Sequence, residues 1–100
     1  MEVHQMLKVV AKNELKDGTK DKALEMLEEM IELTRQEDGC ISYVLFEDIN
    51  NPNIITFIEA WEDEDKLKAH MNSEHFKRII PQVNKLKLEL EPANVYKKIR

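Results

Sequence analysis

A few side chains in this sequence have the chemistry of acid–base work inside an apolar pocket. His70 follows Leu67 by three residues, so it lies on or beside the apolar face of a helix. A histidine titrates near neutral pH and can serve as a general base. It can equally be a core histidine whose ring is bonded to a carboxylate, for example Glu59, or to a backbone carbonyl. The sequence leaves both interpretations open.

Glu59 alternates with the aromatic residues Phe57 and Trp61 on one face of a predicted strand. A carboxylate between aromatic rings must be paired, hydrated or functional, because an isolated charge is costly in apolar surroundings. Phe57 and Trp61 would form an apolar wall, and we expect Tyr43 to be a core residue with its hydroxyl bonded. Asn13, at the end of the first predicted strand, is a candidate donor to a substrate anion.

The sequence lacks the common signatures of metal and phosphate chemistry. It has no Gly-rich phosphate loop, no nucleophile elbow and no His-Glu-x-x-His motif. His70 and His75 are five residues apart, which is not the i, i+4 spacing of two ligands on one helix face. Cys40 is the one cysteine, so an internal disulfide and a multi-cysteine zinc site are excluded. We therefore predict no metal site.

Alternating apolar residues predict the strands that position these side chains. The predicted strands are Met6–Asn13, Cys40–Asp48, Ile54–Glu62 and Leu88–Ile99, the last with an interruption at Pro92. Helical spacing predicts a helix that begins after the turn at residues 17–19 and ends near Asp38-Gly39. A second helical region begins at Asp63, continues from a cap at Ser73 and should break or kink at Pro81.

The resulting order, β-α-β-β-α-β, is the ferredoxin-like plan of the α+β class, with two helical regions on one face of a four-stranded sheet. Both faces of the central hairpin are nevertheless apolar. One face carries Ile41, Tyr43, Leu45, Ile55, Phe57 and Trp61, and the other carries Val44, Phe46, Ile54, Ile58 and Ala60. Because the helices can cover one face only, the other would expose a large apolar patch. The same face of a second copy would cover it, so we expect a twofold homodimer.

Composition bounds the remaining possibilities. The 100 residues are 42% hydrophobic and 35% charged, which suits one ordered domain over residues 1–100. The net charge of −5 disfavours binding to nucleic acid, and no apolar run is long enough to span a membrane. The first ten residues lack the apolar stretch of a signal peptide, and the single cysteine fits a reducing cytoplasm.

Charge is unevenly distributed along the chain. Residues 1–73 hold eight basic and seventeen acidic groups, whereas residues 74–100 hold seven basic and three acidic groups. The two ends of the chain could lie against each other in the fold or across a dimer. The basic final quarter could instead attract an anionic ligand.

Three segments resemble the antibiotic biosynthesis monooxygenase domain. Residues 37–43 (EDGCISY) resemble its EEGCxxY segment, and residues 57–63 (FIEAWED) followed by His70 and by residues 73–76 (SEHF) resemble its later motifs. The resemblance extends from about Met6 to Lys98 and is strongest to the small stand-alone quinol monooxygenase-like branch. It implies a dimeric ferredoxin-like α+β barrel with one pocket per subunit between sheet and helices.

Members of this family include cofactor-independent quinone-forming monooxygenases, haem-degrading enzymes and an isomerase of a phosphorylated signal molecule. Trp61 matches a tryptophan that lines the pocket of polyketide-oxidising members, whereas their other polar pocket residues fall on apolar positions such as Phe57 and Leu67. Asn13 lies near an asparagine of the haem-degrading branch. The haem-ligating histidine of that branch aligns near Ile80, which counts against haem.

The resemblance therefore implies a cofactor-independent monooxygenase that oxidises a small, electron-rich, quinol-like aromatic with dioxygen. In this interpretation His70 is the base and Asn13 the donor, and the substrate contacts Trp61, Phe57, Glu59 and Tyr43. Two alternatives remain at this point. One is an isomerase of a small phosphorylated or carbonyl compound, which the basic residues Lys77, Arg78, Lys85 and Lys87 would suit. The other is a non-catalytic dimer that binds a small ligand.

Overall fold

The computed structural model describes residues 5–100. The prediction that the first ten residues are not a signal peptide includes residues 1–4, which lie outside the described residues. The elements follow the order β1 (Leu7–Glu14), α1 (Lys20–Arg35), β2 (Cys40–Glu47), β3 (Ile54–Trp61), α2 (Glu64–Met71), α3 (Glu74–Asn84) and β4 (Asn94–Lys97). No helix within this part of the chain is long and apolar enough to cross a membrane.

The four strands form one antiparallel sheet in the order β2-β3-β1-β4. This order confirms the ferredoxin-like α+β fold that the element sequence predicts. Strand β3 lies between β1 and β2, so its residues are covered by a neighbouring strand on both sides. The core lies between the helices and one sheet face, and its largest fully buried side chain is Trp61.

Helix α1 presents Ala23, Leu27, Met30 and Thr34 to the sheet, at the three- and four-residue spacing of one helix face. The helix ends at Arg35, three residues before the predicted end. A turn at residues 36–39 then leads into β2, with Gly39 at a φ of 86°. Since side chains rarely adopt this left-handed conformation, glycine is needed here. The turn contains Glu37, whose side chain reaches His70 on α2.

The register of the hairpin corrects one prediction for the core face. Cys40 pairs with Trp61 and Ser42 pairs with Ala60, so Ile41 is an extra residue in a β-bulge. Ile41 is therefore exposed and does not join Tyr43 on the core face, contrary to the alternation of the sequence. Cys40, the one residue of β2 before the bulge, is therefore shifted by one position relative to the rest of the strand.

The second helical region is two helices, and both predicted caps are confirmed. The side chain of Asp63 accepts a hydrogen bond from the backbone N–H of Lys66, and that of Ser73 accepts one from Phe76. Of the predicted break or kink at Pro81, the break does not occur, because α3 continues to Asn84. Pro81 lies on the exposed side, where the carbonyl four residues earlier can be hydrated, while Ile79 and Val83 are buried on the opposite side.

The last strand is much shorter than the predicted Leu88–Ile99. Only Asn94–Lys97 pair with β1, and the segment 88–93 has no regular structure. Leu88 and Leu90 are apolar but exposed, so they do not belong to the core of this subunit. On the sheet face away from the helices, Phe46 is 50% and Ile58 is 40% exposed, as expected for a face that lacks a cover within one chain.

Candidate functional site

A cavity of about 230 Å³ lies between the sheet and the helices. Its volume suits a compact molecule of about one aromatic ring, since drug-sized ligands occupy roughly 300–1,000 Å³. Most of its wall is apolar, with residues from β1, β3 and all three helices. The apolar lining consists of Val9, Ala11, Leu27, Phe57, Leu67, Met71, Phe76, Ile80, Val83, Leu90 and Ala93. The polar lining consists of Lys12, Asn13, Tyr43, Glu59, His70, Asn84, Lys87 and Glu91.

His70 reaches the cavity from α2 and is almost completely buried. Its Nδ1 lies 2.7 Å from Oε2 of Glu37, and its ring centre lies 4.6 Å from that of Trp61. A carboxylate can only accept, so Nδ1 carries the proton and Nε2 keeps a lone pair. Burial lowers the pKa of His70, although the charge and hydrogen bond of Glu37 oppose that shift. The neutral form of His70 that burial favours has one basic nitrogen, Nε2, with no hydrogen-bond partner among residues 5–100.

The carboxylate partner of His70 is Glu37, and the sequence-based suggestion of Glu59 for this partner is wrong. The same Oε2 atom of Glu37 also lies 2.8 Å from Nε2 of His75 on α3. Glu37 was not among the predicted site residues, although it lies within the EDGCISY segment. Its approach to the histidines depends on the turn at residues 36–39 and on the junction of α2 with α3, which helical spacing alone does not predict.

Glu59 points from β3 toward the cavity and is buried. Its Oε1 accepts a hydrogen bond from the indole Nε1 of Trp61 at 2.9 Å. Burial raises the pKa of Glu59 to about 7, the bond from Trp61 opposes this, and the charge of Glu37 adds to it. The carboxyl group can therefore exist in either protonation state near neutral pH.

Asn13 lines the cavity from the end of β1, with its amide largely engaged. Its Nδ2 donates to the backbone oxygens of Ala11 at 3.1 Å and Ile55 at 3.2 Å. The donor function predicted for Asn13 would require one of these bonds to be exchanged. In its present arrangement Asn13 offers the cavity its Oδ1 atom, which is an acceptor.

The aromatic residues of the predicted site divide into two layers. Tyr43 and Phe57 line the cavity and stack with ring centres 4.5 Å apart. Burial is the main cause of the raised pKa of Tyr43, so its phenol stays protonated. Trp61 is fully buried and lies behind the cavity wall, where it contacts Glu59 and His70. Trp61 therefore supports the two titratable residues, whereas Phe57 forms the wall.

Only part of the basic final quarter reaches the cavity. Lys87 lines it together with Lys12, and burial lowers the pKa of Lys87. Arg78 instead binds Glu29 and Glu74 on the surface. The contact with Glu29 pairs a basic residue of α3 with an acidic residue of α1, as expected if the acidic and basic portions of the chain pack together in the fold.

Comparison with known proteins gives consistent matches. The family model described as antibiotic biosynthesis monooxygenase matches residues 6–82. The Synechocystis sp. protein sll1783 is 30% identical over 90 residues, which are 89% of this chain and 61% of that protein. The chain thus spans less than two thirds of the length of this relative.

Two solved structures superpose closely. A conserved protein from Methanosarcina mazei Go1 has a TM-score of 0.92 and 35% identity, over 95% of this chain and 94% of that one. A structure described as an antibiotic biosynthesis monooxygenase has a TM-score of 0.83 and 35% identity, over 94% of this chain and 97% of that one. The residues matched by the family model include Glu37, His70 and His75.

Proposed function

Since the chain belongs to the antibiotic biosynthesis monooxygenase family, we propose that it is a cofactor-independent monooxygenase acting on a small, electron-rich, quinol-like aromatic. The observation that carries the proposal is the buried imidazole of His70 at the wall of an apolar cavity of about 230 Å³, with Nδ1 bonded to Glu37. This arrangement leaves Nε2 free to accept a proton from a substrate hydroxyl. The apolar wall excludes water from the resulting anion.

The reaction needs no group beyond the substrate and dioxygen. A quinolate anion passes one electron to dioxygen, and the two radicals combine at a ring carbon. Loss of water then gives a hydroxyquinone: one oxygen atom of dioxygen stays on the ring, and the other leaves in water with two hydrogen atoms of the quinol. The protein supplies the base, the orientation and the dry cavity.

The other candidate site residues also have proposed parts. Phe57 and Tyr43 hold the aromatic ring of the substrate between them and the helices. Glu59 contacts a substrate hydroxyl, and Trp61 keeps Glu59 and His70 in place. Asn13 binds a hydroxyl through Oδ1, or steadies the anion if one of its two amide bonds is exchanged.

A His70→Gln variant tests the proposal by oxygen consumption with small quinols. Loss of a general base typically costs about 10²- to 10⁴-fold in rate, so we expect kcat to fall by at least about 100-fold. Circular dichroism and thermal unfolding would establish that the variant is folded. The matched control is Lys68→Gln on the exposed side of α2, which should retain turnover. Unaltered turnover in folded His70→Gln would refute the assignment of the base.

The positive charges at the cavity favour a second candidate function. Lys12 and Lys87 line the same cavity, so a small phosphorylated compound, or a carbonyl compound that carries an anionic group, would find two basic side chains there. With His70 as base, the reaction would be a proton-transfer isomerisation. Turnover that persists without oxygen would favour this isomerase over the monooxygenase. A ligand that survives purification, with no turnover of either type, would favour a binding function.

We also propose that the working unit is a homodimer in the cytoplasm, with residues 1–100 as one domain per subunit. The support is the open sheet face, where Val10, Ile58 and Val44 lie side by side on β1, β3 and β2. All three side chains are at least partly accessible in one subunit. A second copy of the same face would cover this apolar row.

A further inference from the structure

Glu37, His70 and His75 bring three potential metal ligands together on one side of α2 and α3. Oε2 of Glu37 lies 2.7 Å from Nδ1 of His70 and 2.8 Å from Nε2 of His75. All three ligand atoms lie within 4.8 Å of one another. The five-residue spacing of His70 and His75 along the sequence did not predict this cluster, because the two histidines lie on separate helices joined by a short turn.

We propose that Glu37, His70 and His75 form a binding site for one divalent transition-metal ion. Metal bonds to imidazole and carboxylate are about 2.0–2.2 Å long, so neighbouring ligands in an octahedral site lie about 3 Å apart. The two oxygen–nitrogen distances already have nearly this value. Two imidazoles and one carboxylate suit Zn²⁺, Fe²⁺, Co²⁺, Ni²⁺ or Cu²⁺, whereas Mg²⁺ and Ca²⁺ prefer oxygen ligands alone.

The surroundings allow an ion to enter and to complete its coordination. The side chains of Glu37 and His75 are 15% and 12% exposed, and that of His70 is 3% exposed, so access is from the His75 side. Oγ of Ser73 lies 3.3 Å from Nε2 of His75, where it could bond a metal-bound water. Within residues 5–100, Glu37 contacts these two histidines and forms no ion pair with a lysine or arginine.

An ion at this site would change the chemistry of His70. A metal on Nδ1 leaves the neutral imidazole with its single proton on Nε2, which is the nitrogen that must accept the substrate proton. Metal binding and base catalysis are therefore mutually exclusive. This consequence depends on the proposed function and makes the ion an inhibitor, whereas metal binding itself does not depend on that function.

Calorimetry with Zn²⁺, and the visible absorption of Co²⁺, test binding in the full chain without a polyhistidine tag. We expect one equivalent to bind. The affinity should fall at least about 100-fold in His75→Gln, because loss of a supporting contact alone can cost about 10- to 100-fold. Glu37→Gln should behave like His75→Gln, and Glu32→Gln, an exposed acid on α1, should bind like the wild type. Absence of saturable binding, or equal affinity in His75→Gln, would overturn the site.

Inhibition is measured separately, with the quinol assay. Zn²⁺ at a saturating concentration should abolish wild-type oxygen consumption and leave folded His75→Gln active. Activation of the wild type by Zn²⁺ or Fe²⁺ would overturn the inhibitory effect. If the wild type shows no turnover without metal, the proposed function and this inhibitory effect fail, while the binding result stands by itself.

Discussion

The indole Nε1 of Trp61 donates a hydrogen bond of 2.9 Å to Oε1 of Glu59, and the carboxyl group makes no other hydrogen bond within residues 5–100. The two residues are two positions apart on β3, so their side chains lie on the same face of the sheet, which is the face that points to the cavity. One neutral donor does not replace the water that a carboxylate loses on burial. The pKa of Glu59 is consequently raised to about 7.

The raised pKa of Glu59 predicts a pH-dependent loss of stability. Between its ordinary value of 4.5 and about 7, the folded protein holds a proton that the unfolded chain has released. The free energy of unfolding should therefore fall as pH rises through this range. The full loss is about 3 kcal/mol, because each pKa unit corresponds to about 1.4 kcal/mol. Glu59→Gln should not show this loss.

Denaturant unfolding from pH 4 to pH 8 would measure this difference. Other groups also change protonation over this range, so the quantity to compare is the free energy of unfolding of the variant minus that of the wild type. Glu62→Gln, which changes an exposed carboxylate at the end of the same strand, is the control. A Glu59→Gln curve parallel to the wild type at every pH would contradict the raised pKa.

Replacement of Gly39 should destabilise the protein for two reasons, backbone strain and steric overlap, which can be measured separately. In Gly39→Ala the new Cβ would overlap the side chain of Lys66, and the residue would also keep its positive φ of 86°. Gly18 has a φ of 80° with nothing near the added Cβ, so Gly18→Ala isolates the backbone strain of about 1 kcal/mol. We expect Gly39→Ala to cost about 1–3 kcal/mol more than Gly18→Ala.

Denaturant unfolding again supplies the measurement. Replacing Lys66 by alanine should recover part of the excess cost in the double variant, because Cγ and Cδ of Lys66 are then removed while its Cβ still lies close to the added methyl group. Equal costs for the two glycine substitutions would show that the close approach of Lys66 is unimportant.

Ile58 predicts the effect of charge on the open sheet face. Ile58→Lys places an amine in the centre of the apolar row, where a second copy would have to bury it. At micromolar concentration we expect the variant to sediment as a monomer and the wild type to sediment as a dimer. Ile49→Lys in the hairpin turn, with a side chain that is 97% exposed, should leave the dimer intact. A monomeric wild type would refute the dimer.

Replacement of Pro81 in α3 should stabilise the protein. A proline inside a helix removes one backbone hydrogen bond and crowds the preceding turn, at a cost of about 3 kcal/mol, while it also restricts the unfolded chain by up to about 1 kcal/mol. Pro81→Ala should therefore raise the free energy of unfolding by about 2 kcal/mol. Gln82→Ala, its exposed neighbour, is the control. A destabilised Pro81→Ala would indicate that the proline shapes α3 for packing.

The order of elements and the helix caps could be predicted from the sequence because they depend on local signals. Alternation identified β2 and β3, and the capping side chains of Asp63 and Ser73 are bonded as their positions predicted. Pro81 misled the prediction because burial of Ile79 and Val83 outweighs a local penalty. Alternation also misplaced Ile41, since a bulge leaves no signal in the pattern of residue types.

Five of the six candidate site residues line one cavity, namely His70, Glu59, Asn13, Phe57 and Tyr43, whereas Trp61 lies behind its wall. Their chemical roles stay predictions. Glu37 was missed, because its contact with His70 joins residues 33 positions apart through a turn. Such long-range pairings depend on tertiary packing, which periodicity within one element does not describe.

Trp61 is the single tryptophan of the chain and is fully buried against Glu59 and His70. All indole fluorescence of the protein therefore comes from a probe already in place beside the two titratable residues. Protonation of the neighbouring imidazole, a bound paramagnetic ion and an aromatic ligand in the cavity should each alter its emission. A fluorimeter could follow occupancy of the site in the unlabelled protein before any substrate is known.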